Sequence, residues 1–335
     1  MATPPIPFTP IRWSLYDPAE LFTGFLTTNP SSYQESLDFR IYRHFVIEGG
    51  STPGSPFVAM MQALHDNSIT QAVQQVRRRR RIAGIMGAHG LDRDAPGYRQ
   101  IAELARLLTR AGILVCTGGG PGAMEAAHLG AAHAPLLDSQ LGDAIRALSA
   151  EPKVPDLRTI VASDGTVDQG LVAQGYRWLK PAYDVAQGLL KVGAGESLAV
   201  PTWQYGSEPS TPFATMIGKY FQNSIREDGL LAVARQGVVF SAGTAGTVQE
   251  VFQNAAQNYY RSFGHFSPMV FLGGEHWRTA CPVDALLQTL LEKDDYRRFV
   301  LVTDDINAAA SFIEQFVPPN GHCDSAEREA SRPRR

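Results

Sequence analysis

Cysteine is scarce in this sequence: Cys116, Cys281 and Cys323 are the three in 335 residues. They lie far apart and follow neither a disulfide framework nor metal-ligand spacing, which fits a reducing cytoplasm. No apolar run approaches the roughly 20 residues of a membrane span, so no membrane partner is expected. The opening stretch, MATPPIPFTPIRW, lacks the basic-then-apolar order of a secretory signal. The net charge of -3 gives no global basic field, which points away from nucleic acid as a partner. The apolar fraction of 44% and the charged fraction of 19% are those of a globular protein. At this length the chain can bury a sizeable core in one large domain or two ordinary ones.

Residues 1–50 are rich in proline, aromatic and polar residues and read as an irregular arm with one short helix. A long helix is expected from about Ser55 to Arg80, with Phe57, Met60, Met61, Leu64, Ile69, Val73 and Val76 as its apolar stripe. It ends in five arginines, Arg77 to Arg81, which read first as a solvated helix end favoured by the dipole. From residue 81 to 317 strands and helices alternate. IAGIMG, ILVCTG, SLAVPTW, VVFSAG, PMVFLGG and FVLVTDD read as strands. The segment TPFATMIGKYFQNSIREDGLLAVARQG reads as a helix. Buried β-branched runs between helices imply an α/β fold: a Rossmann-like, doubly wound parallel sheet with helices on both faces, preceded by a helical N-terminal extension over 1–80. Residues 135–195 lack the rhythm and read as an insertion. Residues 318–335 are polar and charged and read as a disordered tail.

Two glycine loops each follow a strand and open a helix. One is Gly118-Gly119-Gly120-Pro121-Gly122-Ala123-Met124, the other Gly243-Thr244-Ala245-Gly246-Thr247. At the carboxyl ends of parallel strands, glycines bare the backbone N–H groups, and a helix N-terminus adds donors that suit phosphate. Tight helix–sheet packing is the competing reading for either loop taken alone. The first loop matches the pattern G-x-G-x-x-A, but no acidic residue follows on the next strand to hold a ribose, so NAD is not indicated. Gly218-Lys219 is not a phosphate loop of the Walker type, because it lacks the upstream glycine and the following Ser/Thr.

GGGPGAMEAAHLGA and AGTAGTVQE resemble the motifs GGGxxGxM and PGGxGTxxE of the LOG ("lonely guy") family of nucleoside 5′-monophosphate phosphoribohydrolases, and in particular a longer bacterial branch. The resemblance covers roughly Arg81 to Phe316. Gly118, Gly119, Gly120, Gly122 and Met124 match the first motif fully. In the second, Gly243, Gly246, Thr247 and Glu250 match, while Ala242 replaces proline and Thr244 replaces the second glycine.

The resemblance implies hydrolysis of an N-glycosidic bond to free base and ribose 5-phosphate, without metal or redox cofactor, by a homodimer or higher homo-oligomer. The phosphate falls to the N–H groups of Gly243, Thr244, Ala245, Gly246 and Thr247. Positive charge growing at the anomeric carbon calls for a carboxylate. Glu250 lies three residues after Thr247, on the same helix face and one turn further along. The family's catalytic arginine falls near Arg226, about one residue out of register; a surface arginine paired with Glu227 or Asp228 is the alternative. His89 and Glu125 sit beside the loops. Lys219 and Asn223 share the Arg226 face at i, i+4 spacing. Trp203 and Tyr205 are candidates to stack on a base, with burial the alternative. A non-catalytic nucleotide sensor or carrier on the same fold is the competing function.

Overall fold

The computed structural model describes residues 6–205 and 209–318. Cys323 and the tail from residue 319 lie outside the described residues. The N-terminal extension holds α1 (Pro18–Leu21), a 3₁₀ turn (Pro30–Glu35), α2 (Leu37–Ile47) and α3 (Pro56–Arg77). Then follow β1 (Ile82–Met86), α4 (Pro96–Arg110), β2 (Leu114–Thr117), α5 (Ala123–Ala132), α6 (Asp138–Leu148) and α7 (Gln169–Val192). The second half runs through β3 (Ser197–Ala199), β4 (Met216–Ile217), α8 (Asn223–Val233), β5 (Gly237–Phe240), α9 (Ala245–Tyr259) and β6 (Met269–Leu272). It closes with α10 (Val283–Leu290), α11 (Lys293–Phe299), β7 (Val300–Thr303) and α12 (Ile306–Glu314).

The seven strands form one sheet in the order β4-β3-β2-β1-β5-β6-β7, and every pair in it is parallel. Gly84 of β1 lies between Cys116 of β2 and Val238 of β5. Alternate residues supply opposite faces, as a strand's two-residue period requires. Ile82, Met86, Leu114, Cys116, Val238 and Phe240 join a core with α8, α9 and the N-terminal extension. Ala83, Ile85, Val115 and Val239 join a second core with α4, α5 and α12. Both faces are covered, which is why the strands read as unbroken apolar runs. This is a Rossmann-like α/β fold. The insertion over 135–195 supplies α6 and α7 to the crossover from β2 to β3, with Pro181 inside α7.

Three local expectations are corrected. Among the described residues up to 50, the chain forms two helices and a 3₁₀ turn rather than one short helix. The segment read as one helix from Thr211 becomes helical only at Asn223 and before that holds a turn and a short strand. Met216 and Ile217 pair with Leu198 and Ala199 as the edge strand. Ile217 also exchanges two backbone hydrogen bonds with Tyr16, at 2.8 and 2.9 Å. These sheet bonds override the local helical pattern. In α3, Met60 and Leu64 are exposed while Gln62, His65 and Asp66 are buried, so polar residues with long-range partners displace the expected apolar stripe. The arginine run ties the fold together at its end. Arg80 pairs with Glu196, and Arg81 Nη2 donates to the carbonyl of Glu314 at 2.6 Å.

Candidate functional site

The strand order reverses direction at β1: the chain moves from β1 to β2 on one side and later returns to β5 on the other. At such a switch point the loops leaving neighbouring strands part and open a crevice at their carboxyl ends. A cleft of about 430 Å³ lies there. Gly87, Ala88 and His89 line it from the end of β1, Gly118 and Met124 from the first glycine loop, and Thr244, Gly246, Thr247 and Glu250 from the second. Arg226 and Glu227 of α8 close one side, with Tyr205 and Arg158 at the rim.

The two loops differ in what their glycines do. In the first, Gly119 and Gly122 have φ of +73° and +66°. A Cβ on Gly119 would lie 2.8 Å from Ala199 Cβ, and one on Gly122 would lie 2.4 Å from the carbonyl oxygen of Ala88. The amide of Gly119 donates to Thr117 Oγ1 at 2.9 Å, and that of Ala123 to the Ala88 carbonyl at 3.0 Å. Gly119, Gly120 and Gly122 are buried in helix–sheet packing, and only Gly118 and Met124 of this motif reach the cleft. The second loop is open. Thr244, Ala245 and Gly246 are exposed, and the Thr244 side chain makes no capping bond to α9. The first-turn N–H groups of α9 therefore face the cleft uncapped, with the positive end of the helix dipole behind them. Gly243 leaves room for Thr247, whose Oγ1 would lie 2.1 Å from a Cβ at position 243.

Arg226 is buried. Its Nε donates to the Val200 carbonyl at 2.8 Å and its Nη2 to the Gly118 carbonyl at 3.4 Å. It pairs with neither Glu227 nor Asp228. Glu227 accepts from Asn223 Nδ2 at 2.7 Å and Gln249 Nε2 at 3.0 Å, and Asp228 accepts from Gln253. Carbonyls thus fix the guanidinium in place while leaving its charge free to meet an anion. Glu250 sits half-buried in the same wall. Removal from water pushes its carboxyl up to about 7; Arg226 pulls it back down and Glu227 adds to the rise. Burial outweighs the nearby cation here, which is the usual way a carboxylate is brought near neutral pH.

Other candidates fall elsewhere. Lys219 precedes α8 rather than riding on it, and is buried against Asp38 Oδ1 at 2.8 Å and Ser210 Oγ at 3.0 Å. Glu125 turns away from the cleft and takes two hydrogen bonds from Arg93 at 2.6 and 2.8 Å, with a third from Tyr98 Oη at 2.9 Å. A buried carboxylate so fully matched has no capacity left for a ligand. Asn223 stands behind the wall, where its Nδ2 supports Glu227 and, at 3.2 Å, Tyr205 Oη. Trp203 is core: it stacks on Phe221 with ring centroids 4.5 Å apart, and its Nε1 donates to Asp38 at 2.9 Å. Tyr205 is exposed and stands at the rim of the cleft. Sequence reasoning missed Glu227 and Arg158. Glu227 is signalled by its place beside Arg226. Arg158 is held by Asp156 in the insertion, and nothing local marks its approach to the cleft.

Among the described residues no group of His, Cys, Asp and Glu is arranged to hold a metal ion, and no helix is long and apolar enough to cross a membrane. No family model and no curated protein matches the sequence. The X-ray structure of TM1055, a structural genomics target, is similar at 20% identity and a TM-score of 0.40, over 70% of this chain and 99% of that one.

Proposed function

We propose that this protein hydrolyses the N-glycosidic bond of a nucleoside 5′-monophosphate. The observation that carries the reading is the half-buried Glu250 one turn behind the uncapped start of α9, near a buried Arg226 whose hydrogen bonds go to the Val200 and Gly118 carbonyls. The phosphate docks on the N–H groups of Gly246 and Thr247. The ribose then lies over Glu250 and the base points toward Tyr205. As the C1′–N bond lengthens, positive charge grows on the sugar, and ionised Glu250 stabilises it. A water attacks C1′. The proton it loses balances the one the departing base gains, leaving free base and ribose 5-phosphate. Arg226 offsets the charge of the phosphate and keeps a fraction of Glu250 ionised at neutral pH.

A binding-only role is the second reading. It is favoured by Thr244, whose side chain lines the cleft where the family pattern has glycine. Incubation with a panel of nucleoside monophosphates separates the two: release of base that is lost in Glu250→Gln supports hydrolysis, whereas tight binding with no release supports the sensor. A homodimer through α8 and α9 is part of the proposal, supported by the exposed Ile225 and Tyr259 on those helices. Light scattering at the mass of one chain would remove that part.

A further inference from the structure

We propose that the N-terminal extension is a brace that positions Arg226, acting through the residues that lead into α8. Asp66 of α3 is the centre of the brace. Its Oδ1 accepts from the amide of Phe221 at 2.9 Å and its Oδ2 from the amide of Gln222 at 2.8 Å, across 155 and 156 positions of sequence. Gln222 is the N-cap residue of α8 and makes no capping bond with its own side chain. A carboxylate from α3 therefore anchors the backbone at the start of α8 and complements the helix dipole. Asp66 is itself held. His65 Nδ1 lies 3.2 Å from its Oδ1, and His65 Nε2 lies 2.8 Å from Tyr16 Oη.

The other ties converge on the same stretch. Gln222 Nε2 donates to the Ser51 carbonyl at 2.6 Å. Lys219 pairs with Asp38. Ile217 is bridged to Tyr16. Four of the six residues from 217 to 222 are thus fastened by groups from the first 66 residues of the chain. The next turn carries Arg226, Glu227 and Asn223. Such convergence exceeds what capping one helix requires, and buried charge-assisted bonds give well-defined geometry. Asp66 is a positioning residue: it touches no part of the cleft, and its catalytic consequence rests on the proposed reaction.

The test is Asp66→Asn, which keeps the shape but sets an amide NH₂ against one of the two backbone donors. Hydrogen exchange in peptides covering α8 is expected to quicken by about tenfold or more, while β1 and β5 keep their protection. Glu250, titrated by ¹³C NMR of its carboxyl, is expected to ionise at higher pH than in the parent, because a displaced Arg226 no longer opposes the effects of burial and Glu227. For a nucleoside monophosphate, kcat is expected to fall more than KM rises. The first two readouts need no turnover, so an inactive parent enzyme would sink the proposed reaction and leave the brace still tested. Parent-like exchange in α8, equal acceleration in every peptide, or an unmoved Glu250 titration overturns the brace. If Asp66→Asn does not fold, Gln222→Ala removes the Ser51 tie alone; the same changes at smaller size support the proposal, and their absence overturns it.

Discussion

Gly118 and Arg226 compete for one space: a Cβ on Gly118 would lie 2.1 Å from Arg226 Nη2 and 2.8 Å from Met124 Sδ. The missing side chain lets the guanidinium rest against the first loop while facing the second. Gly118→Ala is therefore expected to displace Arg226 rather than unfold the protein, since the obstructing atom is the end of a flexible side chain. Base release should fall by roughly 10- to 100-fold, with the circular dichroism spectrum unchanged. An alanine variant of full activity would show that Arg226 does not need its present position.

Glu250 ionises near pH 7 in the fold against 4.5 for an ordinary glutamate. Between those values the folded chain holds a proton that the unfolded chain has released, so stability falls as pH rises through the window. Glu250→Gln removes that fall. The variant should be more stable than the parent above pH 7 by about 1–3 kcal/mol, and equal to it near pH 4. Urea denaturation at the two pH values measures this. Hydrolysis should move in the opposite direction, rising through pH 7 as the carboxylate forms.

Nothing occupies the space where a Cβ on Gly246 would stand. Gly246→Asp fits there and places a negative charge in the first turn of α9. The helix should gain about 0.3–1 kcal/mol from the dipole, while ribose 5-phosphate affinity drops by about tenfold or more. Thermal denaturation and calorimetric titration read the two effects separately. A loss of binding accompanied by loss of stability would point to damage rather than to repulsion of an anion.

The Arg93–Glu125 pair is structural. Glu125→Gln leaves a buried guanidinium without its counter-charge and should cost about 3–5 kcal/mol. Base release per folded molecule should remain within about twofold of the parent. Chemical denaturation and activity, each corrected for the folded fraction, check this.

The parallel sheet and both glycine loops could be read from the chain because apolar runs punctuated by glycine carry strand, turn and helix start within a dozen residues. The place of Glu250 in the cleft wall was legible for the same reason: its distance from Thr247 is fixed by one helical turn. Lys219 was not, since the course of residues 211–222 is decided by Tyr16, Asp38, Ser51 and Asp66, more than a hundred positions away. Glu125 looked like a cleft residue by spacing, but Arg93 and Tyr98 turn it inward. The first loop carried the better motif match, yet most of its glycines serve packing. Motif letters do not distinguish a glycine that makes room for a ligand from one that makes room for a neighbouring strand.

The proposed reaction requires that the open start of α9 hold a phosphate with Glu250 beside the sugar. A crystal structure of Glu250→Gln soaked with a nucleoside 5′-monophosphate tests it most directly. Phosphate oxygens are expected within hydrogen-bond distance of the Gly246 and Thr247 amides, and the ribose against the side chain at position 250. A phosphate seated on the first glycine loop, or a base packed where the ribose belongs, would contradict it.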